Sequence, residues 1–384
     1  MSKDSDFDYI DSASTLNRMM LTIDSASRVA LDTEANSLHN YYDRVCLIQL
    51  SYDGQHYIID PLASYDLRPF IDWLSGRTLI LHGADFDLRM LRSTFDFRPE
   101  KGVFDTMLAA QLLNYERFGL GALVEEFFDV KLPKGSQKSN WAQRPLRDSQ
   151  LSYAADDTRY LESITDTLTD QLETLGRRSW HDEWCERIVD ATESDEPRDP
   201  ERQWRIKGLG GLSRHQLAYV RELWKWRDQE AQSVDRPAFM VMGNQQIVAI
   251  AVNADSESED PLNGNVRLPK TCTGKRLSAL KEAVSRASSL GEEDWPPLRL
   301  KREKRASYPD TKALVESLKS ACGEKAAELN LSPSVLAPKA TLTALARNHV
   351  SSQEDLFHES TLMNWQVKEI RDIVERVLVG SPAS

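Results

Sequence analysis

Three places in the sequence set carboxylates where paired or metal-assisted chemistry could occur. Asp32 and Glu34 close a β-type run, Arg28-Val29-Ala30-Leu31-Asp32. Residues i and i+2 of a strand project from one face, so these two carboxylates converge. Like charges side by side at a strand end are unfavourable unless a cation neutralises them. The second place is Leu81-His82-Gly83-Ala84-Asp85-Phe86-Asp87, a strand passing into a helix. An aspartate there also serves as a helix cap, and helical geometry alone does not choose between Asp85 and Asp87. The third is Tyr153-Ala154-Ala155-Asp156-Asp157. At about 100° per residue, Leu151, Ala154, Thr158, Leu161 and Leu168 form the inward stripe of one long helix over 148–175. Asp157 lies at the edge of that stripe, Tyr153 shares its side one turn earlier, and Asp156 points toward solvent. A carboxylate at a buried edge favours a ligand or paired role over a solvated one. Each signal alone has an ordinary reading: a polar strand end, a helix cap, an aromatic at a domain edge.

The elements that must position these residues follow from hydrophobic period. Short apolar runs at 28–32, 45–51, 56–60 and 78–82 predict strands, with a hairpin turn at Tyr52-Asp53-Gly54-Gln55. Helical period predicts helices over 85–95, 105–114, 119–128 and 148–175. Hairpin strands followed by strands alternating with helices give a mixed α/β sheet. Residues 194–200, with two prolines among charges, read as a linker. Beyond it, Ser213-Arg214-His215-Gln216 has capping-box spacing, followed by Leu217, Val220, Leu223 and Trp224 at helical period. A polar stretch over 287–308 holds the basic run Arg299-Leu300-Lys301-Arg302-Glu303-Lys304-Arg305, and the remainder is helical in pattern. The predicted layout is an α/β domain over 1–193 and two small all-α domains over 201–286 and 309–384; periodicity alone does not show a duplication between the last two.

Composition narrows the class. The chain has 384 residues, 40% hydrophobic and 28% charged, which excludes wholesale disorder. No window approaches the roughly 18–20 apolar residues of a membrane span, and the N-terminal residues lack the apolar core of a secretory signal. The four cysteines form no CxxC pair, so zinc fingers and disulfide scaffolds are poor fits and a reducing cytoplasm is the expected setting. The net charge of −12 is unevenly divided: residues 1–200 carry −15 and residues 201–384 carry +3. So acidic a half is a poor electrostatic match for a polyanion unless cations sit between them.

Taken together, Asp-x-Glu, Phe-Asp and Tyr-x-x-x-Asp in this order resemble the DEDD exonuclease superfamily, in the subgroup whose third motif carries a tyrosine. Leu47-Ile48-Gln49-Leu50, Ile59-Asp60-Pro61-Leu62, Phe104-Asp105-Thr106 and Trp141-Ala142-Gln143-Arg144-Pro145-Leu146 extend the resemblance to the ribonuclease D family over about residues 10–190. The two helical units resemble the helicase-and-RNase-D C-terminal (HRDC) domains that follow it there. The resemblance implies a ribonuclease H-like α/β exonuclease domain with two HRDC-like domains. It also implies a 3′–5′ exoribonuclease using two divalent metal ions, Mg²⁺ or Mn²⁺, and releasing 5′-mononucleotides. Its site residues would be Asp32, Glu34, Asp87, Tyr153 and Asp157. Asp32, Glu34 and Asp157 would bind one ion, with Asp32 and Asp87 at the second and Tyr153 at the attacking water. The implied partner is RNA, tRNA precursors among them, with no membrane and no protein partner; the positive helical half is the expected carrier of backbone attraction. Three rivals stand beside this reading: a DNA exonuclease with the same carboxylates; a silent RNA-binding relative, against which all four carboxylates speak; and a two-carboxylate glycosidase, which the tyrosine motif and the helical units do not support.

Overall fold

The computed structural model describes residues 6–133, 135–193, 199–255, 260–263, 266–298, 311–350, 357 and 360–379. The basic run 299–305 and most of the 194–200 linker lie outside these described residues. The chain divides into two compact units. Unit 1 comprises residues 1–35, 45–194 and 306–384, and unit 2 comprises residues 36–44 and 195–305.

Unit 1 is built on a six-stranded sheet: β1 (Asp8–Ile10), β2 (Arg28–Ala35), β3 (Val45–Tyr52), β4 (Gln55–Ile59), β5 (Thr78–Leu81) and β6 (Val103–Asp105). Their order is β1-β4-β3-β2-β5-β6. The β2-β3-β4 pairings are antiparallel and the outer ones parallel. Asp53 and Gly54 both take positive φ in the β3–β4 turn, the backbone that a two-residue hairpin loop requires and that an Asp-Gly pair supplies. Strand alternation gives the sheet two faces. Val29, Leu31, Ile48, Leu50, Leu79 and Leu81 face a cluster completed by α1 (Ala13–Ile23), α2 (Arg68–Ser75) and α3 (Asp85–Phe95). Ala30, Asp32, Glu34, Leu47, Gln49 and Ser51 face the other way, where α6 (Asp148–Arg159) and α7 (Leu161–Thr174) pack. Between those groups run α4 (Thr106–Leu112) and α5 (Leu120–Phe128), and α8 (Arg178–Glu193) follows α7.

The single helix expected over 148–175 is two helices. Tyr160 ends α6 and starts α7, and the break lets each turn its own apolar face inward. Ala154 and Ala155 of α6 meet Leu47 and Ile58, whereas Leu161, Ile164, Leu168 and Leu172 of α7 join a separate cluster. A straight helix could not serve both surfaces.

Unit 2 contains α9 (Pro200–Gln203), α10 (Arg214–Ser233), α11 (Ala238–Val241), α12 (Asn244–Asn253) and α13 (Gly274–Ser288) around Trp204, Leu217, Leu223, Trp226, Ile250 and Leu280. The expected capping box is present: Gln216 N donates to Ser213 Oγ at 3.1 Å, and Ser213 N donates to Gln216 Oε1 at 2.9 Å. Trp226, rather than Trp224, is the buried tryptophan of α10. The segment 36–44, which joins β2 to β3, belongs to this unit: Asn40 Nδ2 donates to Asp235 Oδ2 at 2.8 Å and the Tyr41 hydroxyl to Asp228 at 2.8 Å.

The C-terminal helices, α14 (Thr311–Glu328), α15 (Pro333–Leu336), α16 (Lys339–Val350) and α17 (Asn364–Val379), differ from the expected free-standing domain. They share one apolar cluster with α4, α5 and α7 of the α/β part. Trp365 stacks on Trp180 with ring centres 4.4 Å apart, and the Glu183 carboxylate accepts from the backbone N–H groups of Asn364 and Trp365 at the start of α17. Sequence period shows that a helix has an apolar face but not which partner covers it. Trp365 is 4% exposed. Trp365→Ala is therefore expected to destabilise unit 1 by about 3–5 kcal/mol, the usual range for a buried aromatic truncated to alanine. Chemical denaturation checks this, and a loss under 1 kcal/mol would show that α17 does not brace the core.

Candidate active site

Asp32 and Glu34 leave β2 on the face covered by α6, and Asp157 comes down from α6 to meet them. All three are half-buried, and one carboxylate oxygen from each lies within 4.8 Å of the others. Three acidic groups at that separation, drawn from a strand and a helix packed on it, form a hard-oxygen cage of the kind that suits Mg²⁺ or Mn²⁺.

Asp87 arrives from α3 on the opposite face and is 4% exposed. Its Oδ1 accepts from the Thr33 backbone N–H at 3.0 Å and the Thr33 hydroxyl at 2.7 Å, and it lies outside the three-carboxylate group. The structure separates it from Asp85, whose exposed carboxylate pairs with Arg89 at 2.9 Å. Thr33, between the two strand carboxylates, thus anchors the fourth.

Tyr153 is half-buried and its hydroxyl donates to Asp157. Behind it sits Trp141, fully buried, with ring centres 6.1 Å apart. The loop that delivers Trp141 is pinned by Arg144, which donates to both Asp60 oxygens (2.5 and 2.7 Å), to the Cys46 carbonyl (2.8 Å) and to the Trp141 carbonyl (2.6 Å). Tyr9 adds a 2.6 Å bond to Asp60. Asp156 is not freely solvated: it pairs with Arg159 at 3.1 Å.

Some supporting residues escape a reading of chemistry from sequence. Asp105 is fully buried, and its carboxylate accepts from four backbone N–H groups, those of Gly83, Ala84, Met107 and Leu108. It fixes the start of α3, and through it Asp87, while capping α4. An aspartate before a helical run signals a cap, but nothing local shows that it reaches back to a second helix.

Burial, then mutual repulsion, governs the charges here. Burial raises Asp32 well above the ordinary carboxylate range, with Asp87, Asp157 and Glu34 adding to the effect. Glu34 is pushed up to about 9 by burial and by Asp157 and Asp87. Asp157 is raised to about 7 by burial and by Asp156, against the opposing Tyr153 bond. Burial lifts Asp87 to about 7 even though Thr33 works to lower it. A cation among these groups would replace the protons that otherwise hold them together.

The sign of the pH dependence follows. With folded values raised above the unfolded ones, near 4, the folded protein binds more protons through the intervening range. Stability without added metal is therefore greatest below about pH 4 as far as these groups are concerned, and falls as pH rises through 7 to 9. Thermal melts from pH 6 to 9 are expected to show that decline, with Mn²⁺ restoring more stability at pH 9 than at pH 6. A Mn²⁺ effect that shrinks with rising pH would contradict this account.

The fold and the acidic site define a 3′–5′ exonuclease. The 3′-5′ exonuclease family profile matches residues 7–173, and the HRDC domain profile matches residues 216–260. A ribonuclease D from Xanthomonas oryzae pv. oryzae is 30% identical over 325 residues, covering 83% of this chain and 86% of its own. Another, from Sphingobium indicum, is 29% identical over 96% of this chain and 94% of its own. The chain belongs to the ribonuclease D family. Among solved structures, a protein from Bifidobacterium adolescentis superposes with TM-score 0.84 at 22% identity over 98% of both chains. Escherichia coli RNase D superposes with TM-score 0.71 at 23% identity over 99% of this chain and 100% of its own. These likenesses are of fold. The HRDC profile matches one segment, in unit 2, where two such domains were expected. No helix among the described residues is long and apolar enough to cross a membrane.

Proposed function

We propose that the protein removes nucleotides from the 3′ end of RNA by hydrolysis, releasing 5′-mononucleotides, and that it acts in the cytoplasm on 3′-extended structured RNAs, tRNA precursors among them. The observation that carries the chemistry is the convergence of Asp32, Glu34 and Asp157, each held above its ordinary protonation range. Asp32, Glu34 and Asp157 would hold one divalent ion, and Asp32 with Asp87 a second. Two such ions, when bound, would supply charge neutralisation at the attacked phosphate and at the leaving 3′ oxygen. Tyr153 orients the attacking water, its hydroxyl fixed by Asp157 below and the Trp141 ring behind. Thr33 holds Asp87 in place through its backbone N–H and its hydroxyl. The preference for RNA rests on the family, whose relatives carry ribonuclease names.

The C-terminal helices support a second, diverged HRDC-like bundle. In unit 2 a long α10 is followed by Asp235 at positive φ, a four-residue α11 capped by Pro237, then α12 and α13. The C-terminal stretch repeats the pattern: a long α14, Asn330 at positive φ, a four-residue α15 opened by Pro333, then α16 and α17. The full reading is tested by digesting a 3′-extended structured RNA beside a DNA of matched sequence, with and without Mg²⁺ or Mn²⁺. Metal-dependent shortening of the RNA from its 3′ end is expected; equal or faster digestion of the DNA would overturn the substrate assignment.

A further inference from the structure

Every residue of β3 from Val45 to Ser51 is buried, and the strand is apolar except at Gln49 and Ser51. Ser51 is accounted for: its hydroxyl meets Thr158 Oγ1 and His56 Nδ1, both at 2.7 Å. Gln49 is not. It is 0% exposed, and neither its amide nitrogen nor its amide oxygen has a hydrogen-bond partner among the described residues. A buried amide in that condition is a net expense that leucine or methionine would avoid. Its neighbours Leu47 and Ile58 fill the same face without polar atoms.

The register shows what the amide is next to. Gln49 is the cross-strand partner of Asp32, so the two side chains stand beside each other on the same face. That face is covered by α6, which carries Tyr153 and Asp157. An ionised carboxylate only accepts hydrogen bonds, and the amide nitrogen offers two donors. We infer that Gln49 is a positioning residue for the acidic centre: its side-chain amide donates to Asp32 and aims that carboxylate at the cation. The bond would form with Asp32 in its ionised, ligating state. Groups that orient a ligating carboxylate in this way commonly change metal affinity by about 10–100-fold when removed. The inference rests on the proposed metal reading of the acidic group.

The test is Mn²⁺ binding by titration calorimetry to the full-length protein, to Gln49→Met and to Gln49→Leu, with thermal melts of each in chelator. Both substitutions are expected to weaken Mn²⁺ binding by about 10–100-fold while leaving the chelator midpoint unchanged or raised. A residue that merely packs would lower the midpoint and leave the affinity unchanged. Wild-type affinity in the folded variants overturns the inference while leaving the metal reading intact. Loss of folding in both variants makes Gln49 structural and overturns it as well. A wild-type chain that takes up no Mn²⁺ overturns both readings.

Discussion

Asp32→Asn is expected to abolish RNA hydrolysis while leaving the protein folded. Asp32 is the one carboxylate proposed to touch both ions, and Asp87, Asp157 and Glu34 all act on its charge. Replacing it with an amide would remove a negative group from the proposed metal site. Metal stabilisation of the transition state is worth several kcal/mol, and at 1.36 kcal/mol per factor of ten its loss lowers the rate by about 10³-fold or more. The fold should not suffer, because the substitution removes one charge from a group that burial and repulsion already hold near neutrality. Single-turnover digestion of a labelled RNA at saturating Mn²⁺ measures the rate, and a chelator melt at pH 8 measures the fold. A variant within tenfold of wild type would remove Asp32 from the mechanism.

Tyr153→Phe tests the other half of the site. The phenol is raised well above its ordinary range, first by burial and then by Asp157, Glu34 and Asp32. It therefore stays protonated and can orient a water without giving up its own proton. Losing that hydroxyl is expected to lower the rate by about 10²–10⁴-fold, the usual worth of positioned proton-transfer assistance. RNA affinity should hold, since the phenylalanine ring still packs on Trp141. If affinity fell in step with rate, Tyr153 would be a binding residue. Asp156→Asn is the control: its partner Arg159 also pairs with Asp6 at 2.5 Å, so the rate should be nearly unchanged.

The strands at the centre of the sheet were legible because each is an apolar run of four residues or more, bounded by turn residues. The edge strands β1 and β6 were not, since three residues leave too little alternation to recognise. The carboxylates could be singled out because their types and spacings are unusual on strands and helix edges. Asp105, Arg144 and the Thr33 bond to Asp87 could not, because their partners are distant in sequence and only the folded sheet brings them together. The same limit hid the break at Tyr160: helical period continues through residue 160, and only the two separate apolar surfaces explain why the helix does not.

The split composition of unit 1 also sets an order of events on the ribosome. The apolar cluster around α4, α5 and α7 is complete only when α14 to α17 have been made, yet α4, α5, α7 and α8 emerge much earlier. At about 5–20 residues per second, the stretch from the end of α8 to the end of α17 takes about 10–40 s to synthesise. Through that interval Trp180 and its apolar neighbours have no cover from α17. Unit 2, whose last residue is 305, has its whole sequence available before unit 1 does. Through that interval the nascent chain carries uncovered apolar surface on α7 and α8. Ribosome-stalled chains ending at residue 305 are expected to be cut readily by protease within 161–193, and chains extended past residue 379 and clear of the exit tunnel to resist.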